Sequence, residues 1–413
     1  MPGSWLLGAT APSGGNGGRP PKSDDRPTAV LIGLRGDEDE EAQRSLDELE
    51  RLAETDGVEV AGRVLQTRAH PDPATYLGGG KAAEVAELVR DRGAAVVIAD
   101  GELSPAQARN LEDIVHTRVV DRTALILDIF AQHARSSEGK AQVELAQLAY
   151  QLPRLRGHGS ELSRVGGGRV AGGAGIGVRG PGEMQLERQR RTLRRRMTLL
   201  RRQIGQTARR RDRTRSRRRA NRVPSVALTG YTNAGKSALL NRLTGADVLV
   251  EDALFATLDP TVRRASTPGG RTFTLTDTVG FVRHLPHQLI DAFRSTLEEV
   301  ADADLILHVV DAAAPDAVDQ VTTVRGVLYE IGARSQPELL ALNKTDLIGP
   351  AELAALRACY PDAVPVSART GAGIDELRAA IEQALDGGHL AAQAGSTGTG
   401  SETAVEPVVT GKP

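Results

Sequence analysis

The sequence predicts an α/β protein in three parts: a small N-terminal domain on a parallel sheet, an antiparallel helical hairpin, and a larger α/β domain built on a phosphate-binding loop. Three observations predict it. Short apolar strand-like runs alternate with helix-like segments over residues 28–133 and again over 223–386, the rhythm that lays parallel strands under covering helices. Between them, over 134–222, apolar residues recur at steps of three and four on two segments separated by a glycine-rich loop, as in helices zipped along one seam. Finally, the run Val226 to Leu228 leads into Gly230-Tyr231-Thr232-Asn233-Ala234-Gly235-Lys236-Ser237 and then a helix-like stretch, the strand, glycine-rich turn and helix start of a phosphate loop.

In the N-terminal part, Ala29 to Leu34, Val58 to Leu65, Ala94 to Ala99 and Arg118 to Val120 read as strands. Leu46, Leu49 and Leu52 fall at helical spacing over Glu41 to Glu54, and Val85, Leu88 and Val89 share one face over Lys81 to Arg90. Ser104-Pro105 supplies an N-cap followed by proline at the first helical position, opening a helix to about Val115. Tyr76-Leu77-Gly78-Gly79-Gly80-Lys81 resembles a phosphate loop, but Ala82 stands where a hydroxyl residue is needed. It is read either as a second nucleotide site or as a tight loop capping the next helix.

The hairpin rests on Ala141, Leu145, Leu148, Leu152 and Leu155 facing Leu186, Leu193, Met197, Leu200 and Ile204, with Arg190 in the one place of the second stripe that is not apolar. Pro153 should end or kink the first helix. The connecting loop, Gly157 to Gly182, holds too many glycines to keep a fold of its own. It is a plain linker or a tip that orders on a partner; in the second case Arg156, His158, Arg164, Arg169 and Arg179 are the groups that would find RNA.

Charge sharpens the picture. The chain of 413 residues carries a net charge of −1, yet Arg188 to Arg222 contains seventeen arginines against one acidic residue, Asp212. Such a block is an ample counterion-releasing surface for RNA, and its lack of aromatic residues favours backbone contact over base stacking. A single cysteine, Cys359, excludes an intramolecular disulfide and fits a reducing compartment. No apolar run reaches the roughly 18 residues of a membrane span, and Trp5-Leu6-Leu7 lacks the basic flank of a signal peptide. A cytoplasmic monomer is expected, with residues 1–27 and 387–413 disordered on composition.

The chemistry lies in four segments at strand ends. Gly230 to Ser237 would turn backbone N–H groups onto phosphates, with Lys236 on the β- and γ-phosphates and the Ser237 hydroxyl on Mg²⁺. Thr272 to Leu275 delivers Asp277-Thr278-Val279-Gly280; Asp277 can hold Mg²⁺ through water and Gly280 can offer its N–H to a γ-phosphate. Leu339 to Leu342 leads into Asn343-Lys344-Thr345-Asp346, whose Asp346 carboxylate can accept the two N–H donors of guanine. Ser367-Ala368-Arg369 would supply a backbone amide at guanine O6. This order is that of the GTPase superfamily, so GTP is the expected substrate. Phe255-Ala256-Thr257-Leu258-Asp259-Pro260-Thr261 lies where the first switch belongs, and either Thr257 or Thr261 offers a hydroxyl for the metal. After Gly280 stands Phe281, where Ras-like enzymes use a Gln to orient water; intrinsic hydrolysis should be slow and wait for a partner.

The chain resembles the HflX family of the Obg-HflX group from about Asp72 to residue 385. The resemblance is carried by Pro73-Ala74-Thr75-Tyr76-Leu77-Gly78, Asp121-Arg122-Thr123 through Ile129-Phe130, Glu138-Gly139-Lys140 through Leu148, Gly177-Val178-Arg179-Gly180-Pro181-Gly182-Glu183, Gly230 to Ser237 and Phe255 to Asp259. It implies an N-terminal α/β domain, a helical hairpin and a Ras-like G domain. It also implies binding to the 50S ribosomal subunit, with the hairpin loop reaching 23S rRNA, and GTP-dependent ribosome splitting or rescue under stress. Lys236, Thr257 and Gly280 would then serve hydrolysis, and Thr257 rather than Thr261 would hold the metal. Rival readings are an ATP-dependent RNA-remodelling protein using Gly78 to Lys81, and an RNA-binding scaffold.

Overall fold

A computed structural model describes residues 26–36, 39–155, 181–220, 223–245, 254–255, 257–258, 261–283, 289, 294–333 and 336–396. The N-terminal unit is a four-stranded parallel sheet in the order β2-β1-β3-β4, with β1 Thr28–Arg35, β2 Glu59–Thr67, β3 Val96–Ala99 and β4 Arg118–Asp121. Its strands are apolar runs because both faces are covered. Ala29 and Leu31 of β1 face α1 (Asp39–Thr55) and α4 (Arg122–His133), while Val30 and Ile32 face α2 (Gly79–Arg92) and α3 (Pro105–Val115). At α3 the Ser104 hydroxyl accepts from the Gln107 N–H, whose side chain accepts in return from the Ser104 N–H, closing a capping box. Gly78 is the N-cap of α2, and its N–H donates to Gln66 Oε1 at 2.8 Å.

α4 is missing from the helices read off the sequence. Arg122 to Phe130 are all buried, so the segment has no polar face and no amphipathic period to betray it.

The hairpin is formed by α5 (Ser137–Arg154) and α6 (Pro181–Ala220). They run antiparallel: Glu144 takes Arg196 through two contacts of 2.6 Å, while Gln151 and Leu155 line one groove with Gln185, Thr192 and Leu193. The expected stripe is the protected side of α6, with Met197 and Leu200 buried and Leu186, Arg190, Leu193 and Ile204 half-buried. α5 has a second apolar face that the seam did not reveal: Val143, Ala146 and Tyr150 join the core of the N-terminal sheet. It ends at Arg154, one residue after Pro153. The loop arginines Arg156, Arg164, Arg169 and Arg179 lie outside the described residues, as does His158.

The second unit is a six-stranded sheet in the order β10-β9-β8-β5-β7-β6: β5 Ser225–Gly230, β6 Thr261–Ser266, β7 Thr272–Asp277, β8 Leu305–Asp311, β9 Glu338–Asn343 and β10 Val364–Pro365. All neighbours are parallel except β6 and β7. One face is covered by α7 (Lys236–Thr244) and α11 (Ile374–Ser396), the other by α8 (Arg294–Ala301), α9 (Ala317–Glu330) and α10 (Pro350–Cys359). α11 continues through Gly387 to Ser396, past the point where disorder was expected.

The two units share a core. Leu254, Phe255, Leu258, Val279, Val282 and Leu289 of the second unit pack into the cluster that holds α1, α4 and α5.

Candidate nucleotide site

Strand β5 ends in Gly230, at φ +146° with the Val309 carbonyl only 2.2 Å from where a Cβ would lie. No side chain fits there. Gly235, at φ +89°, closes the loop against Asn343. The backbone thereby turns its N–H groups inward at the start of α7, the geometry of an anion-binding helix N-terminus. Lys236 is buried, and its ammonium donates to the carbonyls of Gly230 at 3.2 Å and Tyr231 at 2.8 Å. Burial pulls its pKa down to about 8, against the attraction of Asp277.

Three oxygens converge beside Lys236. The Ser237 hydroxyl donates to Asp277 Oδ2 at 2.6 Å, the Thr257 hydroxyl donates to the same oxygen at 3.1 Å, and the two hydroxyls lie 2.9 Å apart. Burial raises the Asp277 pKa, opposed by Lys236 and the two hydroxyls. Asp277 Oδ1 is buried without a hydrogen-bond partner among the described residues, a costly state for a carboxylate oxygen unless a ligand completes it. This hard oxygen set, with one orphaned carboxylate atom, fits a magnesium ion. Thr261 instead opens β6 opposite Asp277, while the Thr257 hydroxyl is the one that stands against Ser237 and Asp277.

The base side is equally assembled. Asn343 donates Nδ2 to the Ala234 carbonyl at 2.8 Å and accepts the Ala368 N–H on Oδ1 at 2.9 Å, tying the phosphate loop to the Ser367-Ala368-Arg369 loop. Lys344, at φ +62°, pairs with Asp311 at 2.7 Å, and Thr345 donates through its N–H and its hydroxyl to Val366 O. Asp346 accepts the Ser367 hydroxyl at 2.6 Å and pairs with Arg369 at 2.5 Å. The Ser367 bond first, and Arg369 as a further cause, hold its pKa below the usual carboxylate value.

Tyr231, Thr232 and Asn233 complete the phosphate loop, Asn233 at φ +59°. Thr278 is locked by its hydroxyl onto Leu228 O at 2.6 Å, and Gly280 sits where a Cβ would lie 2.9 Å from Lys236 Nζ. Within the expected GTP-binding segments, the side chains of Phe255, Leu258 and Val279 are committed to packing, which leaves their backbone for nucleotide contact. All three are buried in the core shared with the N-terminal domain, Phe255 meeting Phe130 edge-on at 4.6 Å. Burying such large apolar groups is worth far more than placing them beside phosphates. Ala256 and Asp259 lie outside the described residues.

Phe281 is buried with Leu297, Val300, Ile306 and Val324, so it anchors its segment in the core and does not face the phosphates. Sequence reasoning missed Glu48, Arg122 and Arg283. Glu48, on α1, meets Tyr231 and the Arg283 backbone across the domain boundary. Burial raises its pKa, opposed by Arg122, Tyr231 and Arg283. No local pattern could have pointed there, since Glu48 lies 183 positions before Tyr231.

Residues 225–344 match the family described as 50S ribosome-binding GTPase, residues 43–131 the GTP-binding GTPase N-terminal family and residues 133–218 its middle region. The fold and site thus define a P-loop GTPase, an enzyme that hydrolyses GTP to GDP and phosphate. The protein named GTPase HflX of Caldanaerobacter subterraneus subsp. tengcongensis is 48% identical over 362 residues, 87% of this chain and 81% of that protein. GTPase HflX of Escherichia coli K12 is 46% identical over 361 residues, 87% of this chain and 83% of its own length. A solved GTP-binding protein from Sulfolobus solfataricus in complex with GDP covers 87% of this chain and 99% of its own, at 24% identity and a TM-score of 0.44. The chain belongs to the HflX family of GTPases. Among the described residues no helix is long and apolar enough to cross a membrane.

Proposed function

We propose that this GTPase binds the 50S ribosomal subunit in its GTP-bound form and couples GTP binding and hydrolysis to ribosome splitting or rescue under stress. The match of residues 225–344 to a 50S ribosome-binding GTPase carries the reading, and the basic helix α6 supports 23S rRNA as the surface met. In this reading Arg156, Arg164, Arg169 and Arg179 meet rRNA. Gly230 to Ser237 cradle the phosphates, Lys236 neutralises the β- and γ-phosphates, and Gly280 offers its N–H to the γ-phosphate. Ser237 and Thr257 would hold magnesium directly and Asp277 through water, and the ion would supply positive charge to offset the charge that develops on the phosphates during transfer. Asn343 to Asp346 and Ser367 to Arg369 select guanine. With Phe281 committed to the core, the attacking water lacks a side chain from that position, so the ribosome supplies the missing order.

The test is the GTPase rate with and without purified 50S subunits, paired with co-sedimentation in a non-hydrolysable GTP analogue and in GDP. Stimulation of about tenfold or more, with binding that requires the analogue and weakens steeply with salt, is expected. Binding that ignores the nucleotide would leave an RNA scaffold instead.

A further inference from the structure

Glu48 joins the two halves of this molecule at the point where hydrolysis is set up. It lies on α1, next to Leu46, Leu49 and Leu52 in the N-terminal core, and is itself buried. Each contact on its carboxylate is directional. From the N-terminal side Arg122, only 2% exposed, donates Nη2 to Oε1, while its Nη1 reaches Asp100 at 2.9 Å and Ser45 at 3.3 Å. From the GTPase side the Tyr231 hydroxyl donates to Oε2. The Arg283 N–H is shared between the Tyr231 oxygen at 2.7 Å and Glu48 Oε1 at 3.2 Å.

Tyr231 and Arg283 flank the place where the phosphate loop and the second switch run side by side. There Thr232 N–H donates to Phe281 O at 2.7 Å, Phe281 N–H donates to Gly230 O at 3.1 Å, and Tyr231 bridges Phe281 as in a parallel sheet. Gly280, which precedes this bridge, packs against Thr232 and Lys236. Glu48 therefore grips both sides of the segment that presents Gly280. In the same structure Thr257 stands against Ser237 and Asp277 while Phe255 and Leu258 fill the N-terminal core.

We propose that Glu48 is a positioning residue for GTP hydrolysis. Acting through the Tyr231 hydroxyl and the Arg283 backbone, it holds Gly280 and Phe281 against the phosphate loop, so that the N-terminal domain stabilises the triphosphate-ready form of the second switch. A carboxylate is required because an apolar side chain there would orphan a buried O–H donor and the Arg122 guanidinium.

Two variants of the full-length protein test this. Glu48→Gln keeps the shape but removes the charge, and Tyr231→Phe keeps the ring against Phe281 but deletes the hydroxyl. Each should lower kcat and the affinity for a non-hydrolysable GTP analogue by about five- to twentyfold, while GDP affinity stays within about twofold, because GDP has no γ-phosphate for Gly280 to meet. The double variant should be no worse than the worse single one, since both cut one linkage. Tyr231→Phe carries the test if Glu48→Gln does not fold. The proposal is overturned if GDP and analogue affinities fall together, if kcat is unchanged, or if the two substitutions simply add.

Discussion

Asp346→Asn isolates base recognition from everything else the site does. The wild-type carboxylate is held by the Ser367 hydroxyl at 2.6 Å and by Arg369 at 2.5 Å, and both keep it ionised. An ionised carboxylate offers acceptors to both guanine donors. Asparagine offers one acceptor and sets an N–H against the other donor. A hydrogen bond to a charged group is worth about 1.5–3 kcal/mol; adding the opposed donors, GTP binding should weaken by about 2–4 kcal/mol, a roughly 30- to 1000-fold rise in Kd. Xanthine carries a carbonyl where guanine carries its amino group, so it can accept from the new amide and its triphosphate should bind more tightly than to wild type. The assay is competition of GTP, xanthosine triphosphate and ATP against a fluorescent GDP analogue. Because asparagine still accepts from Ser367, the melting temperature should move by no more than about 2 °C. Unchanged GTP affinity, or equal weakening for both purine triphosphates, would refute the assignment of Asp346.

Three further expectations follow from buried groups. Asp56 takes Gln132 Nε2 at 2.5 Å; burial, then the charge of Asp128 and a hydrogen bond with it, push its pKa up from 3.8 to about 8. The folded value exceeds the unfolded one, so its contribution is fully present below about pH 4 and is lost as the pH rises through 8; stability should drop by about 2 kcal/mol between about pH 6 and 8. Asp56→Asn should flatten that decline in urea melts, and parallel curves for the two proteins would exclude it. Phe130→Leu removes the edge-on contact with Phe255 at a cost of about 1–2 kcal/mol. It should also speed amide exchange at Leu258, and unchanged exchange there would mean that the first switch does not lean on the N-terminal domain. Gly230→Ala drives a Cβ to 2.2 Å from Val309 O at φ +146°, so nucleotide binding should be lost; retained binding in a filter assay would contradict the loop geometry.

Strand ends and phosphate chemistry were legible because they are local. Gly230, Gly235 and Lys236 need neighbours only a few positions away, and their spacing reports the turn directly. The a/d stripe of α6 was legible for the same reason, as period alone defines a face. What period cannot say is which surface a face meets. Val143, Ala146 and Tyr150 were therefore passed over, as was the core begun by Ala29 and Leu31 that the ring of Phe255 joins. α4 was hidden by being buried all round, and the antiparallel edge strand β6, rich in exposed residues such as Arg263 and Arg264, has no apolar run to announce it. The Glu48 linkage needed tertiary structure outright, since it joins residues whose sequence neighbourhoods share no pattern.

Helix α6 has a mechanical consequence. Its forty residues, Pro181–Ala220, make a rod on the order of 60 Å long at 1.5 Å per residue. The rod stops just short of β5, the strand that feeds Gly230 and Lys236. A rotation of about 10° between that strand and the rod sweeps its far tip through roughly 10 Å. A movement of about an ångström where β5 meets the phosphate loop would thus be geared up to the dimensions of a nucleotide at the far end of the rod.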